Sequence, residues 1–227
     1  MSAEFDRYAA EYEQLLRDPI RDRFTAGTRF FHERKIEVLQ AFLARQSMDP
    51  RKMRWLDVGC GAGDLLELGR DKFQEARGCD PSEGMIALRP HLNIAHQADH
   101  LVLPFDASTF DIVTAVCVYH HVPLASRAAL TTEVARVLRP GGIFAMIEHN
   151  PWNPATRIIV SRTPVDADAI LLNSSEARSL QQHAGLRNCG TDYFLYLPEK
   201  LYRKAGLIES TLRHVPLGGQ YIAYSQK

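Results

Sequence analysis

The densest chemistry in this chain lies in the segment Leu56-Asp57-Val58-Gly59-Cys60-Gly61-Ala62-Gly63-Asp64. It reads as a strand entering, three glycines at alternate positions, and a helix leaving. Glycine takes positive φ at no steric cost and lets the backbone approach a ligand with no Cβ in the way. In an open sheet such a ligand sits beyond the carboxyl ends of the strands. A dinucleotide site prefers G-x-G-x-x-G, with pyrophosphate at the helix N-terminus. Counted from Gly59, the third glycine position holds Asp64, whose carboxylate opposes a pyrophosphate. The Gly-Lys-Ser/Thr of a Walker loop is absent as well. The turn therefore suits a ligand without phosphates and with a cationic part. Asp57 can accept a hydrogen bond from an ammonium, directly or through water.

The second signal is Asp80, at the end of the next expected strand. It lies about 20 residues past the first glycine, where a carboxylate binds ribose hydroxyls. Asp80-Pro81-Ser82 also reads as a turn and a helix cap, with Ser82 capping a helix from Glu83. Its distance from the glycine turn favours the ribose role.

These residues need a scaffold that brings strand ends together. Residues 1 to about 50 read as helical, with apolar residues at helical steps such as Ile36, Leu39, Phe42 and Leu43. Asp49-Pro50 breaks that pattern. From Met53 the chain alternates strand, turn and helix. MRWLDVG, ARGCD, LNIAHQ, FDIVTAVCV and IFAMIE read as strands. LLELGRDKF and ALTTEVARVL read as helices, the latter stopped by Pro140-Gly141-Gly142. Such alternation argues for a parallel sheet with helices on both faces. After Glu148 it lapses. Pro151, Pro154 and Pro164 mark residues 150–173 as an inserted cap over a site. SSEARSLQQHAGL gives one more helix, with Ser174 or Ser175 as N-cap, and late strands fall near TDYFLYL and QYIAYS. The expected division is a helical cap over residues 1–50 and a catalytic domain over 51–227.

Composition excludes several classes. Hydrophobic residues are 45% and charged residues 24%, which is ordinary for a globular chain. Lys plus Arg equals Asp plus Glu at 27 each, so there is no basic excess of the kind that holds nucleic acid. The early basic run with Arg17, Arg21 and Arg23, interrupted by Asp18 and Asp22, reads as a solvated helix face. Cys60, Cys79, Cys117 and Cys189 form no CxxC pair, which argues against zinc knuckles and redox dithiols. A polar N-terminus and the lack of an apolar run near the roughly 18 residues of a membrane span point to the cytoplasm.

The motifs resemble those of the class I S-adenosylmethionine-dependent methyltransferases. The resemblance covers roughly residues 53–148 and rests on LDVGCGAGDLL (56–66), GCDPSEGMI (78–86), Gln97-Ala98-Asp99 followed by LPFDASTFDIVTA (103–115), and RVLRPGG (136–142). It implies a doubly wound, Rossmann-like α/β fold. The expected sheet has seven strands, mostly parallel with one antiparallel strand, and helices on both faces. It implies S-adenosylmethionine as cofactor and S-adenosylhomocysteine as product. Gly59, Gly61 and Gly63 would pass under the methionine part, Asp80 with Pro81 would hold the ribose, and Met85 would lie against the adenine. Asp99 would receive the adenine amino group with His100 beside it, and Val116 and Cys117 would border the methionyl group. Tyr12 falls in the N-terminal region that covers the cofactor in similar enzymes.

The sulfonium already makes the methyl electrophilic, so the protein must align the nucleophile and exclude water. An oxygen or carbon nucleophile also needs a base, often His. His121, in Val118-Tyr119-His120-His121-Val122 after the fourth strand, and His149, leading into the cap, are the candidates. Some quinone-biosynthesis O-methyltransferases carry Glu, Glu and His around the fourth strand's end. Here those places read Cys117, His120 and His121, which argues against both a metal and a quinone acceptor. Asn150-Pro151-Trp152 follows the fifth strand rather than the fourth, so its likeness to a DNA amino-methyltransferase motif is coincidental. Trp152, Phe194, Tyr196 and Tyr202 are either pocket-lining or core. The expected acceptor is a small biosynthetic metabolite. The alternatives are a macromolecular acceptor and a binding protein without turnover.

Overall fold

The computed structural model describes residues 6, 8, 9 and 11–227. The sheet is preceded by α1 (Tyr12–Leu15), α2 (Pro19–Phe24) and α3 (Arg29–Arg45). Asp18 caps α2 by accepting the Ile20 and Arg21 N–H groups, and Pro19 occupies the first helical position, where its missing N–H costs nothing. The alternating units follow as β1 (Arg54–Val58), α4 (Asp64–Gly69), β2 (Glu75–Asp80), α5 (Glu83–Ala87), β3 (Ile94–His96), β4 (Phe110–Val116), α6 (Leu124–Val137) and β5 (Leu138–His149). Then come α7 (Pro154–Arg162), α8 (Ser174–His183), β6 (Arg187–Phe194), α9 (Glu199–Thr211) and β7 (Gln220–Gln226).

The sheet has seven strands in the order β3-β2-β1-β4-β5-β7-β6. Only β7 runs against the others, antiparallel to both β5 and β6. The fold expected from the sequence is the fold observed. Both faces are buried, so the central strands are apolar on both sides rather than alternating with polar residues. Phe144 and Met146 point into one layer with Leu130 and Val134 of α6 and Ala177 of α8. Ile143, Ala145 and Ile147 point into the other, with Ile36, Leu39, Phe42 and Leu43 of α3. Phe42 stacks on Tyr224 with ring centroids 3.6 Å apart, which seats α3 on the β7 side of the sheet.

Four details differ from the sequence reading. Pro140-Gly141-Gly142 does not stop α6, which ends at Val137; it forms a bulged entry to β5, where the register with β4 jumps from Leu138 to Ile143. The cap of α8 is Asn173, not Ser174 or Ser175. Its side chain accepts the Ser175 and Glu176 N–H groups while Glu176 reaches back to the Asn173 N–H, a complete capping box. The TDYFLYL strand ends at Phe194, because Leu195 turns to φ 63°. The segment that follows holds α9, which the sequence reading left out; it is kinked at Ala205 and keeps Leu201, Leu207 and Ile208 exposed, so its apolar pattern does not mark a single buried stripe. Among the described residues no helix is long and apolar enough to cross a membrane.

Candidate functional site

A cavity of about 420 Å³ opens where β1, β2, β4 and β5 end and β7 begins. Its floor is the β1–α4 turn. Gly59 and Gly61 hold φ of 65° and 55°, a region that costs any L side chain strain. A Cβ on Gly59 would stand 2.6 Å from Val118 Cγ2, and one on Gly61 would stand 3.3 Å from Met85 Cε. The Gly59 and Cys60 N–H groups both donate to the Cys79 carbonyl, at 2.8 and 3.1 Å, which ties the turn to β2. Gly63 plays a different part. It precedes α4 with φ 80°, it does not line the cavity, and a Cβ there would meet Leu92 Cδ1 at 2.5 Å. Its bareness serves packing against the β3 side of the sheet.

Two carboxylates flank the turn. Asp57 is 2% exposed and accepts a hydrogen bond from Thr114 Oγ1 at 2.6 Å, across the β1–β4 register pair. Trp55 Nε1 donates to the same Thr114 oxygen, fixing the hydroxyl's direction. Burial pushes the Asp57 carboxyl up to about 7, against the opposing pull of Thr114 and Lys35. Asp80 accepts the Gly61 N–H at 2.7 Å and the Ser82 N–H at 2.9 Å. Burial raises its pKa and those two donors restrain the rise. Ser82 caps α5 as expected, accepting the Met85 N–H. Pro81, Met85, Gln97 and His100 line this end. Asp99 does not; it is exposed, and its Oδ1 accepts the Leu101 N–H at 2.9 Å.

The opposite end is built from side chains. Val116 and Cys117 leave β4, with Cys117 at φ 56°, and both line the cavity with His121, His149 and Asp166. Asp166 belongs to a 3-10 turn (Pro164–Asp166) just after α7, inside the expected cap segment. Glu148 lies beneath them, fully buried, and organises the end of β4. Its Oε1 accepts the Val118 and Tyr119 N–H groups at 3.0 and 2.7 Å, and its Oε2 meets His120 Nδ1 at 2.6 Å. Burial alone would lower His120, but Glu148 and Asp166 more than offset it and hold it at about 10. Burial also raises Asp166 in isolation, and its contacts with His120 and His121 bring it well below the usual carboxylate range. For His149, burial and the charge of His120 outweigh the upward pull of Asp166 and Glu148 and push it down to about 4. It pairs across β5–β7 with Gln220, whose Nε2 donates to Cys117 Sγ at 3.4 Å.

One wall comes from the N-terminal helices. Tyr12 lines the cavity, and burial raises its phenol. Arg21, expected on a solvated face, also lines it; Arg21 Nη1 donates to the Leu16 carbonyl at 2.8 Å, its guanidinium lies 5.0 Å from the Phe31 ring centre, and burial lowers its pKa. Arg17 and Arg23 are exposed as expected. Lys35 was not anticipated. It is 6% exposed, lines the cavity, and its charge acts on Asp57, Cys117 and His149. Its sequence signal is a cation four residues before Leu39, on the buried side of α3. Of the four aromatic candidates, Tyr196 alone lines the cavity; Trp152 is 63% exposed, Phe194 is core, and Tyr202 lies under the Arg34 guanidinium. Asn150 is a brace, with Nδ2 donating to the Pro216 and Gly218 carbonyls.

Residues 56–146 match the family model described as a methyltransferase domain. Over the whole chain, the structure is similar to a SAM-dependent methyltransferase from Thermotoga maritima, with 17% identity, a TM-score of 0.71 and 100% of both chains covered. Residues 56–146 thus carry a methyltransferase domain, and the fold is the one seen in solved S-adenosylmethionine-dependent methyltransferases. Two curated relatives show how far that reaches. A ubiquinone biosynthesis O-methyltransferase of Coxiella burnetii is 36% identical over 104 residues, 42% of this chain and 44% of that protein. A tRNA (carboxymethyluridine(34)-5-O)-methyltransferase of Mus musculus is 34% identical over 126 residues, 52% of this chain and 18% of that protein. The chain thus spans less than half the length of these relatives.

Proposed function

We propose that this chain transfers the methyl group of S-adenosylmethionine to a nucleophilic oxygen or nitrogen of a small metabolite. One observation carries the reading: a single cavity joins the glycine turn with its two carboxylates to a histidine-rich end, under α1, α2 and α7. The residues fit the cofactor. The bare floor at Gly59 and Gly61 leaves room for a flat approach, and a Cβ at Gly59 would collide with Val118. Asp57 accepts the ammonium, Lys35 faces the carboxylate of the methionyl part, and Asp80, beside Pro81, receives the ribose hydroxyls. Met85 packs on the adenine, whose edge meets Gln97 and His100, with Asp99 between them in sequence. Val116 and Cys117 border the methyl group's path. Tyr12 and the rest of residues 1–50 act as a cover on one side, and residues 150–173 act as the substrate cap on the other.

The cofactor brings an activated methyl group; the protein holds the acceptor in line and keeps water out. His149, half-buried and uncharged opposite Gln220, takes the proton released by a hydroxyl acceptor. A covered cavity and a net charge of zero support a small acceptor over a nucleic acid. The four unpaired cysteines support a reducing, cytoplasmic setting. Calorimetric titration with S-adenosylmethionine, S-adenosylhomocysteine and NAD tests the cofactor end; binding of both adenosyl ligands without NAD is expected. Labelled methyl transfer to a metabolite extract, with bulk tRNA in parallel, tests the acceptor. Label in tRNA alone would replace the small-molecule reading by that of the tRNA-methylating relative.

A further inference from the structure

His120, His121 and Asp166 do nothing in the reading above. Yet His120 Nε2 lies 3.5 Å, and His121 Nε2 3.4 Å, from the same oxygen, Asp166 Oδ1. One ligand atom from each of the three falls within 4.8 Å of the others. A direct N–H···O bond would bring nitrogen and oxygen to about 2.9 Å. Donors bound tetrahedrally to one ion at about 2.0–2.1 Å stand about 3.3–3.4 Å apart. The two nitrogen–oxygen separations are longer than a direct hydrogen bond and close to the spacing of donors on one ion.

The surroundings are those of a metal-binding histidine. His120 is 1% exposed, and its Nδ1 is held at 2.6 Å by Glu148, which two backbone N–H groups pin in turn. A carboxylate on one ring nitrogen fixes the tautomer and aims the other nitrogen outward as a ligand. Here that nitrogen faces Asp166 Oδ1, and all three residues line the cavity. His149 stands next to the set, its ring centre 5.1 Å from that of His120. The sequence argued against an ion because Cys117 and His120 depart from the Glu, Glu, His pattern. The third donor comes instead from the distant cap segment, which no local motif includes.

We propose that His120 Nε2, His121 Nε2 and the Asp166 carboxylate bind one divalent transition-metal ion. Its remaining position opens to the cavity, where it takes a hydroxyl oxygen of the methyl acceptor. Two imidazoles and a carboxylate suit zinc-like ions better than magnesium or calcium. A hydroxyl on such an ion loses its proton more readily. The O–H bond breaks and the proton passes to His149 or water. The oxygen's electron pair forms the O–CH3 bond as the S–CH3 bond breaks, and that pair stays on sulfur, giving S-adenosylhomocysteine. His121 is thereby a ligand rather than a base. The inference rests on the methyl-transfer reading of this cavity, so its test measures both.

The full chain, stripped with chelator, is titrated with Co2+ and followed by visible absorption, then with Zn2+ by calorimetry; S-adenosylmethionine affinity is measured on the same samples. Expected are one ion per chain, an intense tetrahedral cobalt spectrum, and at least about tenfold weaker binding in Asp166→Asn and His121→Gln. Cofactor affinity in both variants should stay within about twofold of the parent chain, which also certifies their folding. No stoichiometric uptake by the parent chain, or equal uptake by the two variants, overturns the site and leaves a histidine–carboxylate ion pair. Failure of the parent chain to bind S-adenosylmethionine overturns the methyltransferase reading instead, whatever the ion does.

Discussion

The two ends of the cavity are made of different material. At the end proposed for the cofactor, backbone does the work: two left-handed glycines, a turn hung from the Cys79 carbonyl, and a carboxylate gripping the Gly61 N–H. At the end proposed for the acceptor the lining is side chains drawn from β4, β5, β7 and the turn after α7. Backbone can take few shapes, so the first end tolerates little change. Side chains can be exchanged one at a time, so the second can vary while the first stays fixed. The contrast is in keeping with the matched relatives, one named a ubiquinone biosynthesis O-methyltransferase and another a tRNA methyltransferase.

The contrast can be broken in order of effect. Gly61→Val places a branched side chain at φ 55° and against Met85, and should abolish S-adenosylmethionine binding by calorimetry while circular dichroism keeps the parent's secondary structure. Retained binding would mean the turn is not the floor of the site. His149→Ala should cut turnover about 100-fold or more on a hydroxyl acceptor, with cofactor affinity unmoved; equal losses in both would place it at the wrong end. Asp80→Ala should weaken the cofactor by about 1.5–3 kcal/mol per lost bond, read as Kd.

Asp57 sharpens the comparison through pH. Its carboxyl titrates near 7, and only the ionised form accepts an ammonium, so cofactor affinity should fall up to about tenfold per pH unit below 7. The same shift costs stability. Between its ordinary value of 3.8 and about 7, the folded state binds the proton and the unfolded state does not, so stability declines as pH rises through that window. Asp57→Asn should therefore raise Tm relative to the parent at pH 8, lose that advantage near pH 4, and bind the cofactor weakly at both. A Tm unchanged at pH 8 would show that the buried carboxylate carries no such penalty. The smallest effect belongs outside the cavity: Asn173→Ala removes the α8 cap and should cost about 1 kcal/mol in urea unfolding, with binding intact.

This division also explains what could be read from sequence. The turn at Gly59 and Gly61, Asp80 at the end of β2 and the Ser82 cap are local patterns, each a few residues long, and each has its expected place in the chain. The seven-stranded, mostly parallel sheet with one antiparallel strand followed from the resemblance and from alternating strands and helices. Lys35, Arg21 and Asp166 were missed because their roles depend on which face of a helix or turn meets the cavity, a question settled by long-range packing. Asp99 and Gly63 show the converse. Both sit in motif positions, but the first turns to the Leu101 N–H and the second faces Leu92. The kinked α9, with Gly206 inside and apolar residues outward, offers no clean period to read.

The reversed direction of β7 has a consequence for how such a protein is diversified. In a wholly parallel sheet, the rim above the strand ends receives only outgoing connections. Because β7 enters at that rim, the incoming connection from α9, ending in Gly218 and Gly219, arrives beside the outgoing one from β6. Gly218 passes so close to the Phe194 carbonyl that a Cβ would stand 2.4 Å from it. The acceptor side therefore has a splice point anchored at one bare residue. Segments of different length and chemistry could be grafted between Thr211 and Gly218 to reshape that side of the cavity, with the glycine turn left as it is.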